Sequence, residues 1–195
     1  MDMTNRNTVQ WIRDEMQGRI AISDAEIELF LNVVHGQGCY VEVGCLWGGT
    51  AILAALVGDV KKVITIDKAE IGYWDTGDTG IAGKPMVTLR AVLENFAKFG
   101  VADRINLVVS KSDPWPLRMD LRPDVVMIDG DHSYEGCLQD WNNVRTITDV
   151  VMLHDYQSGR HIGVDRVVDE VIREDTEWEI TDHIGTLIVV ERVCG

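Results

Sequence analysis

Apolar positions along this chain follow two periods, and the change from one to the other lays out its elements. Apolar runs of four or five residues between turn formers read as buried strands, and apolar positions three and four apart read as helices. The first helix is predicted over Thr8 to Gln17, stopped by Gly18. A second opens at Ser23, with Glu26 in the capping-box position, and carries Ile27, Phe30, Leu31 and Val34 on one face. Strand Cys39 to Val43 follows, then a glycine-rich turn, a helix over Thr50 to Val57 and a strand over Val63 to Ile66. The polar, glycine-rich stretch Ile71 to Lys84, with Tyr73 and Trp74 in it, reads as a loop, either a mobile lid near the ligand or plain disorder. Pro85 starts a helix to Lys98 with Leu89, Val92, Leu93 and Phe96 as its buried stripe. Three further strands are expected at Ile105 to Val109, Asp124 to Ile128 and Val150 to Leu153, with helices at Tyr134 to Val144 and Val164 to Arg173. Strands Trp178 to Asp182 and Thr186 to Val193 close the chain around a turn at Ile184-Gly185.

Strands alternating with helices imply a parallel sheet covered on both faces, and the closing hairpin adds an antiparallel edge. The stretch Asp124 to Ile128 lies between Pro123 and Asp129 and is apolar enough to be central. Such sheets bind ligands beyond the carboxyl ends of their strands, at the point where strand order reverses. That rule collects Gly44, Asp67, Ser112, Asp129 and Asp155 on one edge. A length of 195 residues fits one domain, 1–195, with an ordinary hydrophobic content of 46%. The net charge of −14 repels polyanions, which argues against nucleic acid and anionic membrane as partners. The polar start MDMTNRNTVQ reads as no signal segment, and the uncharged run Val43 to Gly58 is shorter than the roughly 20 residues of a membrane span. Cys39, Cys45, Cys137 and Cys194 form no CxxC pair and read as reduced thiols of a cytoplasmic protein.

The turn carries the chemistry. In VEVGCLWGGT, Glu42 sits inside the strand, Gly44, Gly48 and Gly49 punctuate the turn after it, and the next strand, VITID, ends on Asp67. A strand, a glycine turn, a helix and a strand tipped by an acid make a nucleoside-binding unit, with Asp67 placed to accept hydrogen bonds from ribose hydroxyls. The spacing ExGxxxG is not the GxGxxG of dinucleotide sites. Leu46 and Trp47 are bulky where a diphosphate needs small residues, and Glu42 would repel phosphate. S-adenosylmethionine, with an ammonium, a sulfonium, a ribose and no phosphate, suits these residues; a ligand-free structural turn is the alternative.

VEVGCLWGGTAILAA resembles the first motif of small-molecule O-methyltransferases of the catechol and caffeoyl-CoA type, and IDGDHSYEGCLQDW and LHDY resemble the sugar and macrolide group with its cephalosporin-hydroxylase-like relatives. From about Tyr40 to Val193 the chain is similar to class I S-adenosylmethionine-dependent methyltransferases. The resemblance implies a doubly wound, mostly parallel, Rossmann-like seven-stranded α/β sheet with helices on both faces and an antiparallel C-terminal hairpin. N-terminal helices over 1–36 would cover the substrate side. It assigns Glu42, Gly44, Gly48, Thr50, Asp67, Lys111, Ser112 and Asp129 to the cofactor, with Thr50 near the methionine carboxylate and Ser112 beside the adenine. It assigns Asp129, His154 and Asp155 to a divalent cation. A histidine at the first of the last two positions departs from the family pattern and favours a transition metal over magnesium. His132, three residues after Asp129, takes the place of a general base; orienting Asp129 is its alternative role. Asp131 reads as a helix cap, a role that Ser133 also suits, with orienting His132 as its alternative; Trp47 and Trp115 read as core, with flanking the adenine or the lid as theirs; and His35, His161 and His183 read as surface or helix-end residues. The acceptor implied is a small hydroxylated molecule, and the family habit implies self-association. The competing readings are a cephalosporin-hydroxylase-like metal enzyme and a non-catalytic nucleoside-binding module.

Overall fold

The computed structural model describes residues 3–69, 87–118 and 120–193. The loop expected over Ile71 to Lys84, the helix start at Pro85 and Cys194 lie outside the described residues. Helices α1 (Met3–Glu15) and α2 (Asp24–Val34) precede strand β1 (Cys39–Val43), helix α3 (Gly49–Leu56) and strand β2 (Lys62–Asp67). Helix α4 (Leu89–Lys98) leads to β3 (Ile105–Val109) and β4 (Val125–Ile128), then α5 (Tyr134–Val144) and β5 (Val150–Leu153). Helix α6 (Ile162–Val167) runs into a π-helical turn (Val168–Ile172), and β6 (Trp178–Ile184) and β7 (Leu187–Arg192) end the fold. The capping box at Ser23 forms as the sequence predicts: Ser23 N–H donates to Glu26 Oε2 at 2.7 Å, and the Ser23 hydroxyl accepts from Glu26 N–H at 3.4 Å.

The seven strands form one sheet in the order β3-β2-β1-β4-β5-β7-β6, parallel except for β7, which runs antiparallel to both neighbours. Alternation along each strand divides the core in two. Tyr40, Val63, Val125, Met127, Met152, Leu187 and Val189 face α1 to α4, and Val41, Val43, Ile64, Ile66, Val126, Ile128, Val151 and Leu153 face α5, α6 and the π-turn. β4 is buried at all four positions and lies beside β1 at the sheet's centre, as its apolar run predicts. No helix among the described residues is long and apolar enough to cross a membrane.

Two expectations need correction. The buried stripe of α4 is Ala91, Val92, Asn95 and Phe96, while Leu89 and Leu93 are 43% and 49% exposed. The buried amide of Asn95 takes the place of one expected apolar contact, donating to the carbonyls of Gln17 and Trp47 at 3.0 Å each, and this turns the leucines outward. The helix expected over Val164 to Arg173 begins at Ile162 and widens to π geometry after Val167, which still buries Val164, Val167, Val168 and Ile172 in one row.

Strand order reverses between β1 and β4, and the two chains press together there. Asp129 N–H donates to the Val43 carbonyl at 2.8 Å, and Gly44 N–H donates to the Ile66 carbonyl at 2.9 Å. At Gly44 (φ +96°) a Cβ would stand 2.0 Å from the Asp129 carbonyl oxygen, so both the backbone angle and the space exclude a side chain. Gly36 (φ +73°) has the same handedness with nothing within 4 Å. Gly36→Ala therefore isolates the cost of the left-handed backbone, about 1–2 kcal/mol. Gly44→Ala adds the clash with backbone and should lose a further 1–3 kcal/mol or so. Urea unfolding at unchanged m-value measures both; equal losses would show that β4 yields to the added methyl.

Candidate active site

The glycine turn places two carboxylates differently. Asp67, at the tip of β2, accepts from Cys45 N–H at 2.9 Å and Ala69 N–H at 2.7 Å. It fixes the turn and lies in a small cleft walled by Cys45, Leu46, Ala69 and Leu107. An acid held at the mouth of an apolar slot fits a nucleoside sugar and base. Glu42 instead lies under α3 and is 1% exposed. Its Oε2 accepts from the Tyr40 hydroxyl at 2.9 Å and the Thr50 hydroxyl at 2.7 Å, and its Oε1 has no hydrogen-bond partner among the described residues. Burial pushes its pKa up to about 7 against the pull of those hydroxyls. The assignment of the Glu42 side chain to the cofactor that the resemblance implies is corrected accordingly. So is the expectation for the Thr50 side chain, whose hydroxyl proton is committed to Glu42. Gly48 (φ +80°) caps α3 at a position where a Cβ would meet Phe96 at 2.4 Å. Trp47 is core, as expected: its indole covers Gly18. Trp115 packs half-buried against the core on the α5 face.

Two strands away, the ends of β4 and β5 gather two aspartates and three histidines. His132 Nε2 lies 3.3 Å from Asp129 Oδ1 and 3.1 Å from Asp155 Oδ2. His154 Nδ1 lies 3.4 Å from Asp129 Oδ1 and 3.8 Å from Asp155 Oδ1. His161 Nε2 lies 3.5 Å from Asp155 Oδ2, and its ring stacks on that of His132 with centroids 4.1 Å apart. His161 is the helix-end residue that the sequence suggests, at the N-terminus of α6, and its ring also joins the cluster, which the sequence did not indicate. His35 ends α2, and His183 is exposed with Nε2 against the Gly185 carbonyl. Ser133 caps α5, with its hydroxyl accepting from Gly136 N–H; Asp131 precedes the cap and accepts from Ser133 N–H at 2.9 Å.

Charge settles within the cluster by opposition. Burial works against ionised Asp129, but the imidazoles of His132 and His154 outweigh it and draw its pKa down to about 2. Burial likewise opposes charge on His132, and hydrogen bonds to Asp129 and Asp155 overcome it, lifting its pKa to about 10. Burial also resists charge on His154, where Asp129, Asp155 and Glu26 raise the pKa. Burial and then the neighbouring charge of His132 lower that of His161.

His154 is oriented from behind. Thr186 donates its hydroxyl to Glu26 Oε1 at 2.9 Å and its N–H to the same oxygen at 2.7 Å. Its hydroxyl oxygen, 3.2 Å from His154 Nε2, must then accept, so Nε2 carries a proton. Glu26 stays ionised: burial opposes this, and the N–H groups of Ser23 and Thr186 outweigh it. Nδ1 of a histidine 8% exposed is therefore aimed at two carboxylates without meeting either in hydrogen-bonding geometry among the described residues. An orphaned, oriented imidazole nitrogen between carboxylates fits a cation ligand, and the Glu26–Thr186 relay is the kind of outer shell that fixes one. Ser112 and Lys111 follow β3 on the same sheet edge; Ser112 holds the Asn143 side-chain amide through its carbonyl at 3.1 Å, and Lys111 is exposed.

A family model described as a methyltransferase domain matches residues 41–156, more than half of the chain. A search of curated proteins returns no match. Among solved structures the chain is similar to the methyltransferase PaMTH1 of Podospora anserina bound to SAH (TM-score 0.67, 15% identity, covering 100% of this chain and 89% of that one). It is also similar to cofactor-bound Rv0187 from MTB (0.65, 17%, 98% and 90%). A third is the O-methyltransferase from Bacillus cereus in complex with SAH (0.63, 14%, 98% and 92%).

Glu42 generates a test by pH. Its folded pKa, near 7, exceeds the ordinary 4.5, so the folded state holds the proton more tightly. Its contribution to stability is full below pH 4.5 and is lost as pH rises to about 7. Glu42→Gln should therefore gain about 2–3 kcal/mol on the wild type between pH 4.5 and pH 7.5. Denaturant titrations of both proteins across that range measure the gain; a constant difference would place the titration elsewhere.

Proposed function

Because this chain belongs to the methyltransferase domain family and has the class I S-adenosylmethionine-dependent methyltransferase fold, we propose that it moves a methyl group from S-adenosylmethionine to a hydroxyl of a small molecule with the help of a divalent cation. One observation carries the reading: the Asp129, His132, His154 and Asp155 cluster lies beside the turn at Gly44, across the contact that excludes a Cβ. A nucleic acid acceptor is disfavoured by the net charge of −14.

The donor's sulfonium supplies an activated methyl group. The protein has still to hold an acceptor oxygen in line and to remove its proton. Asp67, tied to the turn by Cys45 N–H and Ala69 N–H, is preset to receive ribose hydroxyls. Asp129, His154 and Asp155 are the residues that would hold the cation, which lowers the pKa of a bound hydroxyl when present. His132 is the base. Flanked by two uncompensated carboxylates it keeps its own proton at neutral pH, so base action requires that their charge be compensated.

Asp67→Ala should weaken binding of S-adenosylhomocysteine by about 1.5–3 kcal/mol in calorimetry, the scale of a charged hydrogen bond. Unchanged affinity rejects the ribose assignment. His132→Ala should retain that affinity and lose about 10²–10⁴ in turnover. A chelator should stop transfer to a catechol-like or sugar acceptor and spare cofactor binding; transfer that persists removes the cation from the reading.

A further inference from the structure

Asp155 presents its two carboxylate oxygens to different partners. Oδ1 faces His154 Nδ1 at 3.8 Å, on the side of Asp129. Oδ2 faces His132 Nε2 at 3.1 Å and His161 Nε2 at 3.5 Å. The donor atoms therefore fall into two trios that share Asp155: Asp129, His154 and Asp155, and His132, Asp155 and His161. Only the first corresponds to the cation site of the proposed reaction.

The second trio is assembled by specific local structure. His161 caps α6 without any side-chain capping bond, so its ring has no helix-end duty. Its N–H is held by the Ser158 hydroxyl at 3.3 Å. The start of α6 reaches the 132–134 backbone because residue 163 is glycine: a Cβ there would stand 2.4 Å from the His132 carbonyl oxygen and from Tyr134 N. The loop between passes through left-handed geometry at Asp155 (φ +65°) and Gln157 (φ +56°), which turns the chain back over the β5 tip. Gln157 is held there by its N–H to Asp165 Oδ1 at 2.6 Å. The two imidazoles stack at 4.1 Å with planes 33° apart, and both bring Nε2 to the same oxygen.

We propose that His132, Asp155 and His161 form a second binding site, for a divalent transition-metal ion such as zinc, cobalt(II) or iron(II). Two donors each about 2.1 Å from one ion in tetrahedral geometry stand about 3.4 Å apart. The observed separations, 3.1 and 3.5 Å, bracket that edge. Two imidazole nitrogens and one carboxylate select borderline transition metals and serve magnesium and calcium poorly, since those ions take oxygen donors. Three protein ligands leave a fourth position open. The inference rests on reading Asp155 as a cation ligand and goes beyond the proposed reaction. An ion in the second trio occupies the His132 Nε2 lone pair, so occupancy and proton abstraction by His132 exclude each other. Filled, the site holds the enzyme off.

The test uses the whole chain and its Asp129→Asn variant, both stripped with chelator; the variant is needed because the first trio, with His154 in it, would itself take cobalt. Cobalt(II) is titrated in and its visible d–d absorption followed, with circular dichroism on each variant. Both proteins should give the intense bands of a nitrogen-ligated, low-coordinate ion; in the variant, zinc should displace it and excess magnesium should not. His161→Ala and His161→Gln, each added to Asp129→Asn, should weaken cobalt binding about tenfold or more. In Asp129→Asn alone, the His161 ring protons should also show paramagnetic shifts, a readout that leaves His161 in place. Undiminished affinity in both double variants, unshifted His161 protons, or displacement of cobalt by magnesium from Asp129→Asn would each overturn the site. Methyl transfer that survives chelation would sink the cation-assisted reaction and leave this binding measurement standing.

Discussion

The contact between the Gly44 backbone and the Asp129 carbonyl sets what this structure can do. A parallel sheet reverses its strand order between β1 and β4, and a crevice opens where the loops after those strands part. Here the two loops begin in contact, with 2.0 Å between an imagined Gly44 Cβ and the Asp129 oxygen. The glycine turn that would take the methyl donor is thus locked to the residue that opens the histidine and aspartate cluster. Any ligand on one side lies beside the chemistry on the other, and no hinge is needed to bring the two together.

The cluster itself is held by parts of the chain that are far apart in sequence. Glu26 belongs to α2 and Thr186 to the turn between β6 and β7, and their bonds of 2.7 and 2.9 Å span 160 residues. At Gly185 a Cβ would stand 2.6 Å from Glu26 Oε1, so the hairpin turn also needs a glycine to approach the carboxylate. Glu26 serves three ends with one side chain. It completes the cap of α2, anchors the hairpin, and through Thr186 sets which nitrogen of His154 carries hydrogen. The N-terminal helices and the antiparallel edge are thereby coupled to the same imidazole, and their role extends beyond covering the sheet.

Much of this was legible in the sequence where local chemistry decides. The apolar runs of β1, β4 and β5 and the cap residue Ser23 read directly, because a strand buried on both faces and a hydroxyl before an apolar run each have one dominant cause. The strand-end rule brought Gly44, Asp67, Asp129 and Asp155 to one edge for the same reason. The exposure of Leu89 and Leu93 did not read, because it depends on Asn95 finding buried carbonyls 48 and 78 residues away. Thr50 was placed by its position at a helix start, while its hydroxyl follows the nearest buried acceptor, Glu42. The one available signal for that was an acid inside an otherwise apolar strand.

His161 shows where the limit lies. It stands six residues beyond Asp155, at a spacing that no helix or strand period turns into proximity. What brings it back is a loop with two left-handed non-glycine residues and a glycine, Gly163, whose reason is space. A sequence reader meeting SGRHIG sees a polar turn and a helix start, and both are correct. Gly163 two residues after a histidine was the available sign. A glycine just inside a helix weakens it by roughly 1 kcal/mol relative to alanine, and a fold keeps one there when another backbone must pass close by. The backbone that passes is that of His132, so the residue that costs the helix stability is also the one that lets two imidazoles share a carboxylate.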